Sequence, residues 1–188
     1  MITGQMIGGA PPVATAGPRK RILAFALDYL LIAAYLVVLA ALSVAIMSTP
    51  LAAGFRSLWA NALGAEVSGF FLLTLPVVLY FAIFESTARE ATWGKRVLGM
   101  RVVDQSGERL PLTHSLLRSA IKFLPWELAH FTIWHFVFAA SRHASPAVWT
   151  IVALTVVYLL AGAYLVSLFT GGHRTPYDRV AGSYVVGS

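Results

Sequence analysis

The sequence predicts an all-α membrane protein, a bundle of four transmembrane helices with a short β-like hairpin layer on its cytoplasmic side. Hydrophobic residues make up 58% of the 188 residues and charged residues only 12%, whereas a soluble domain typically carries about 25% charged residues. The apolar residues are also grouped into runs close to the length of about 20 residues that spans a bilayer. Both observations indicate one membrane domain over residues 19–188.

The composition argues against several other classes of protein. The net charge is +6, but the chain is too hydrophobic for a nucleic-acid-binding protein, so we expect its basic residues to flank the membrane on the cytoplasmic side. The sequence has no cysteine, which excludes disulfides and zinc–cysteine sites. We recognise no catalytic set, and we predict no enzyme, cofactor or metal site. The basic cytoplasmic face favours anionic lipid as a partner.

The N-terminal tail and the first helix are distinguished by charge. Residues 1–18 hold four Gly and three Pro and no charge, which predicts a disordered tail. A secretory signal has its basic residues before its apolar core, whereas here residues 19–21 are basic and follow the tail. Residues 22–47 are apolar except for Asp28 and predict the first transmembrane helix.

The second apolar run follows a segment that we expect to be a loop, residues 48–66. Residues 67–84 are uncharged and predict the second helix. Pro76 lies inside it, which neighbouring helices tolerate within a membrane. Glu85 comes next, and we expect it to be a solvated charge at the boundary of the membrane.

The third apolar segment, residues 116–140, is ambiguous because it also carries charged residues. It is either a polar-lined transmembrane helix or a helix that lies in the interface. Residues 147–172 are uncharged and predict the last helix. With four spans, most of the 14 Lys and Arg residues fall on one side, as cytoplasmic segments do. We therefore predict a multi-pass protein of the cell membrane with both termini in the cytoplasm.

Two polar segments that follow apolar runs resemble each other. Residues 92–103 and 175–186 share the same residue at six of twelve aligned positions, which predicts an internal repeat. Lys95 and Asp178 occupy equivalent positions in this alignment. We expect them to lie on the same side of the protein, and we expect the Val–Val end of each segment to pair with the other as a strand.

Polar and small residues in these segments predict short turns. Thr92 is expected to cap a helical turn along the membrane surface, which Gly99 would end. Gly94 and Gly182 are expected to be turn formers as well. No glycine-rich run precedes Lys95, so these glycines do not predict a phosphate-binding loop.

Several of these residues together resemble the RDD family of bacterial membrane proteins. The resemblance lies in the Arg21-x-x-Ala24-x-x-x-Asp28 pattern, in residues 92–104, in Arg118, and in the Asp178-Arg179-x-Ala181-Gly182 pattern. It covers residues 21–186 and implies a multi-pass membrane protein. Cation/proton exchange has been suggested for some members of the family, so the resemblance also makes transport an expectation.

Asp28 is the strongest candidate for a functional residue. A carboxylate within a membrane helix is costly and should face the bundle interior or a wet cavity. It lies about 10.5 Å along the helix from Arg21 and roughly on the same face. Asp28 either binds a proton or cation, or it forms a buried clamp with Arg21 or Arg118, which we slightly favour. The predicted charge clamp comprises Arg21, Arg118, Lys95 and Asp178.

Glu127 and His130 are the second pair of candidates for proton or cation binding. They are three residues apart and therefore share a helical face. They form either a proton relay or polar contacts at the membrane interface beside Trp126 and Trp134, which we favour. A metal site is not expected, because bundle metal sites need further carboxylates.

Two functions remain open at this point. The first is a small cation/proton-coupled transporter in which Asp28 exchanges a proton for a cation. Four spans are few for such a cycle, so it would be expected to form a homodimer. The second is a non-transporting membrane scaffold or accessory protein in which the charged residues are structural clamps.

Overall fold

A computed structural model describes residues 15–187 of the chain. These residues are mostly helical and include a two-stranded sheet. A π-helical turn, Phe70–Thr74, joins the third helix to the fourth. The helices and strands are α1 Pro18–Met47, α2 Ala52–Leu58, α3 Ala62–Gly69, α4 Leu75–Ser86, α5 Trp93–Val97, β1 Met100–Val103, α6 Leu112–Ser141, α7 Val148–Ser167, α8 Pro176–Val180 and β2 Tyr184–Gly187.

Three helical segments within residues 15–187 are long and apolar enough to cross a membrane. They are α1, the continuous segment from α3 through α4, and α7. Helix α6 is as long as α1, with 30 residues, but it is less apolar, because it contains Arg118, Lys122, Glu127 and three histidines. The predicted class of helical membrane protein is therefore confirmed, with three candidate spans among residues 15–187 where the sequence predicts four.

Two predictions about irregular segments need correction. The predicted loop over residues 48–66 contains helices α2 and α3. Asn61 caps α3, because its side chain accepts a hydrogen bond from the Gly64 amide at 2.8 Å, as N-cap residues commonly do. The continuous helix that contains the predicted second span consequently begins at Ala62 rather than at residue 67.

The last residues of the predicted disordered tail, 15–18, are ordered in the structure. Residues 1–14 lie outside the described part of the chain. Thr15 forms a β-bridge with Val186, and the amide of Ala16 donates to the carbonyl of Val185 at 2.7 Å. Helix α1 then begins at Pro18, because proline fits the first helical position, where no amide hydrogen is needed.

The long helices share one polar end. Arg118 near the start of α6 forms ion pairs with Glu85 near the end of α4 and with Asp178. Asp178 also pairs with Arg21 near the start of α1. The ring of Tyr164, near the end of α7, lies 5.3 Å from that of Tyr177 in α8. Helices α1 and α6 therefore begin at the level where α4 and α7 end. We call α5, β1, α8 and β2, which cover this end, the polar layer.

The polar layer contains the small sheet. Strands β1 and β2 pair antiparallel, with Val102 opposite Val185. The predicted pairing of the two Val–Val ends is therefore confirmed. Both of these valines are buried in a cluster with Ala24 of α1 and Leu110, which fastens the sheet to the helical part of the protein.

Two prolines inside helices have the same consequence for packing. Because proline has no amide hydrogen, the carbonyl four residues earlier loses its helical donor. This happens at Pro76 in α4 and at Pro125 in α6. In each case a tyrosine hydroxyl of a neighbouring long helix donates to that carbonyl and links two helices. The two contacts are Tyr35 to Leu72 at 2.6 Å and Tyr164 to Ile121 at 2.8 Å.

The apolar core within the bundle is small. Ile32 of α1, Val77 and Phe81 of α4, and Phe123 of α6 form a buried cluster. Many other large apolar side chains on α1 and α7 are exposed, as is expected of surfaces that face lipid rather than water. Helix α6 packs between α4 and α7.

Candidate functional site

Five charged side chains form a continuous series of ion pairs beneath the polar layer. The Lys95 ammonium lies 2.8 Å from Glu85, whose other carboxylate oxygen accepts from Arg118. Arg118 in turn lies 2.8 Å from Asp178, and Asp178 lies 2.6 Å from Arg21. Glu85 and Asp178 have no exposed surface. We call these five residues the charged series.

Each member of the charged series comes from a different helix. Glu85 is at the end of α4 and Lys95 is in α5, while Arg118, Asp178 and Arg21 belong to α6, α8 and α1. The four residues of the predicted charge clamp are thus linked, with Glu85 between Lys95 and Arg118. Lys95 and Asp178 belong to the same series, as expected of residues on one side of the protein.

Asp178 shows how the series keeps a carboxylate charged. Burial by itself would raise the pKa of Asp178, but the guanidinium groups of Arg118 and Arg21 hold that pKa below its ordinary value. The Thr175 hydroxyl and amide also donate to this carboxylate, at 2.7 and 3.1 Å. Residues Thr175 and Asp178 thereby form a capping box at the start of α8.

Asp28 is held differently from the carboxylates of the series. One carboxylate oxygen accepts from the Tyr80 hydroxyl at 2.9 Å and from the Gly94 amide at 2.8 Å. The other oxygen accepts from the Thr92 hydroxyl at 2.6 Å. The expected pairing of Asp28 with an arginine is therefore wrong. Asp28, which is fully buried, fastens both α5 and α4 to α1 through three uncharged donors.

Gly94 permits this close contact between α5 and α1. A Cβ atom at this position would lie 2.1 Å from the carbonyl oxygen of Ala24, far inside van der Waals contact. Thr92 stands at the N-cap position of α5 but its side chain makes no cap hydrogen bond to that helix. The two other predicted turn formers, Gly99 and Gly182, adopt φ angles of +62° and +63°, which favour glycine.

Glu127 and His130 make separate contacts in the structure. The Glu127 carboxylate accepts from the hydroxyl of Thr74, which lies in the π-helical turn. The His130 ring packs edge-on against Trp126 at 5.0 Å, and among residues 15–187 its Nδ1 has no hydrogen-bond partner. No group of three or more potential metal ligands occurs in the described residues.

Two charged residues at this end of the bundle were misjudged or missed from the sequence. Glu85 was expected to be a solvated boundary charge, but it is fully buried between Lys95 and Arg118. Lys122 is partly buried on α6, with its ammonium 3.4 Å from the ring centroid of Phe81. Its spacing of four residues from Arg118 could have indicated a shared helical face.

Comparison with known proteins gives one match. The model of the RDD family matches residues 15–182. No curated protein matches the chain, and no solved structure matches it. The matched region includes the whole charged series and the residues that hold Asp28.

Proposed function

The chain belongs to the RDD family, and from this premise we propose that it is a non-transporting scaffold or accessory protein of the cell membrane. In this proposal it has four spans and two cytoplasmic termini. Its buried charges are structural clamps, and its basic cytoplasmic face contacts anionic lipid. The observation that carries the proposal is the complete pairing of Asp28, Glu85 and Asp178 by fixed donors.

The packing of α6 supports the fourth span. Helix α6 runs beside both α4 and α7, and its 30 residues correspond to about 45 Å of helix, which is longer than a bilayer core of about 30 Å. Its charged residues Arg118 and Lys122 lie in its first three turns, near the polar layer. Glu127, in the apolar part of α6, accepts a hydrogen bond from Thr74 inside the bundle.

The proposed topology has a direct labelling test. Because the chain has no cysteine, single cysteines can be introduced at Ser106 and Ser145, which are both exposed. We expect an impermeant thiol reagent applied outside intact cells to label Ser145→Cys, and to label Ser106→Cys only after the membrane is opened. Labelling of both positions from outside would contradict the four-span arrangement.

We further propose that the two halves of the chain are copies of one unit. Helices α5 and α8 each have five residues and each follow a threonine. Val102 and Val185 are equivalent in the sequence alignment and lie opposite each other in the sheet. An antiparallel pair centred on equivalent residues has local twofold symmetry, which suits parallel repeats about the membrane normal. An experimental structure with a shifted β1–β2 register would contradict this proposal.

The charged side chains support a structural rather than a transporting role. A coupling carboxylate has to exchange its proton or cation with water, whereas Asp28, Glu85 and Asp178 are fully buried. Releasing Asp28 would break its contacts with Tyr80, Thr92 and Gly94. Releasing the others would leave buried guanidinium groups unpaired, which costs several kcal/mol.

The test of this proposal is ion-driven proton flux. We expect the purified protein in liposomes to give no more proton movement than empty liposomes under sodium, potassium or lithium gradients. A dye inside the liposomes measures the change in pH. Cation-dependent flux that scales with the amount of folded protein would contradict the proposal.

A second candidate function, cation/proton-coupled transport, is favoured by one observation. Glu127 receives a hydrogen bond from Thr74 in a π-helical turn, and such turns frequently occur at functional sites. In this alternative Glu127 rather than Asp28 carries the proton, and a homodimer would complete the pathway. Flux that is lost in a folded Glu127→Gln variant but kept in Asp28→Asn would support it.

A further inference from the structure

A cavity of about 500 Å³ lies between α1, α6 and α7 and reaches the polar layer. The charged end of this cavity is lined by Arg21, Lys95, Arg118 and Lys122. Towards the middle of the membrane its walls are apolar and include Ala129 of α6. Its volume falls within the range of about 300–1,000 Å³ that small-molecule sites occupy. The shape and chemistry are those of a site for an amphiphile.

The charged end of the cavity carries an excess of positive charge. Four cations line this end, Arg21, Lys95, Arg118 and Lys122, whereas the buried carboxylates at the same end of the bundle are three, Asp28, Glu85 and Asp178. Among residues 15–187, Lys122 has no carboxylate within ion-pair distance. Its ammonium lies over three aromatic rings, of Phe81 at 3.4 Å, Phe25 at 4.8 Å and Phe123 at 5.2 Å.

Aromatic rings attract a cation but do not neutralise it. A second donor without a partner lies one turn further along α6, because the indole Nε1 of Trp126 makes no hydrogen bond within the described part of the chain. Trp126 and Lys122 both line the cavity. An ammonium and an indole can only donate hydrogen bonds, so the ligand that completes this site has to supply acceptor oxygens and negative charge.

The mouth of the cavity opens on the outer surface of the bundle, beside α1 and α7. Three of its apolar lining residues are substantially exposed, Ile22 and Phe25 on α1 at 39% and 40% and Leu165 on α7 at 53%. In the proposed topology these residues contact the hydrocarbon of the cytoplasmic leaflet. A ligand with an apolar chain therefore reaches the cavity from the bilayer without passing through water.

We propose that the cavity binds an anionic phospholipid from the cytoplasmic leaflet. The anionic headgroup lies at Lys122 and Trp126, and one acyl chain lies along the apolar walls of α1, α6 and α7. This inference rests on the proposed contact with anionic lipid and deepens it by giving the lipid a defined site. It requires the four-span arrangement, which cysteine labelling tests separately, but it does not depend on the absence of ion flux.

Native mass spectrometry of the full-length protein in detergent tests this site. Phosphatidylglycerol and phosphatidylcholine with the same acyl chains are titrated in parallel. We expect one phosphatidylglycerol to bind per chain, in preference to phosphatidylcholine. Lys122→Met should weaken this binding about tenfold or more, since a hydrogen-bonded charge is lost, whereas Lys122→Arg should retain it. Lys20→Met, which removes an exposed cation at the same end of the bundle, should leave it unchanged.

A second variant tests the acyl-chain part of the site without changing any charge. Ala129→Phe should fill the cavity and reduce phosphatidylglycerol binding while the unfolding temperature remains near that of the wild type. Water-soluble glycerol phosphate should not displace the lipid. Displacement by glycerol phosphate would reduce the site to an anion site and overturn the proposal. Equal binding of both lipids, or binding unaffected by Lys122→Met and Ala129→Phe, would overturn it as well.

Discussion

Replacing Arg118 with methionine should destabilise the protein more than any other removal of a single charge. Methionine preserves much of the side-chain length, but it leaves Glu85 with only Lys95 and Asp178 with only Arg21 as charged partners. Removing one member of a buried ion pair typically costs about 3–5 kcal/mol. We therefore expect Arg118→Met to lower the thermal unfolding midpoint in detergent strongly, or to abolish accumulation of folded protein.

A matched surface variant separates this effect from a general loss of positive charge. The side chain of Arg101 is 51% exposed and forms an ion pair with Glu90 at 3.2 Å, and exposed pairs contribute at most about 1 kcal/mol. Arg101→Met should therefore unfold close to the wild-type temperature. The double variant Arg118→Met/Asp178→Asn should not recover the loss, because it also deprives the buried Arg21 of its carboxylate partner. If Arg118→Met unfolded at the same temperature as the wild type, the charged series would not be a structural clamp.

Replacing Gly94 with alanine should have the second largest effect. The added methyl group would lie 2.1 Å from the Ala24 carbonyl oxygen and 3.0 Å from the Asp28 side chain. The obstructing atom of Ala24 belongs to the backbone of α1, so relief requires α5 to move away and to lose the hydrogen bond from Gly94 to Asp28. Overpacking alone costs about 1–3 kcal/mol, and we expect a decrease in stability beyond that range.

Gly162 provides the control for this substitution. It lies inside α7, and apart from the adjoining part of α7 itself no atom is within 4 Å of the position that its Cβ would occupy. Gly162→Ala should therefore be neutral or slightly stabilising, since alanine is the better helix former by about 1 kcal/mol. The comparison uses thermal unfolding of both variants in the same detergent. Equal stability of the two variants would mean that α5 does not dock on α1 as described.

The features that the sequence predicts well are local or repeated. Long apolar runs produce α1 and α7, and the similarity of residues 92–103 and 175–186 leads to the pairing of Val102 with Val185. The charged residues that the RDD resemblance selects, Arg118 and Asp178 among them, do meet in one series. Composition and spacing are sufficient for the helices and the strand pair, because each depends on one segment or on two similar segments, whereas the charged residues are selected by the resemblance.

The partners of the buried charges could not be derived in this way. Arg21 lies roughly on the same helical face as Asp28, yet it pairs with Asp178, 157 positions later. Asp28 instead receives donors from Tyr80 and from the segment around Gly94. The partner of each buried charge depends on how α5 and α8 fold back over the bundle. The spacing of residues within one helix does not predict this. Glu85 was misjudged for the same reason.

Thermal unfolding of Asp28→Asn tests the central claim, that the buried charges hold the bundle together, most directly. An amide cannot accept all three hydrogen bonds from Tyr80, Thr92 and Gly94, and each hydrogen bond to a charged group contributes about 1.5–3 kcal/mol. We predict an unfolding midpoint several degrees below wild type, with the exposed control Glu108→Gln unchanged. An Asp28→Asn variant that unfolds at the wild-type temperature, and that has lost a cation-driven proton flux present in the wild type, would contradict the account.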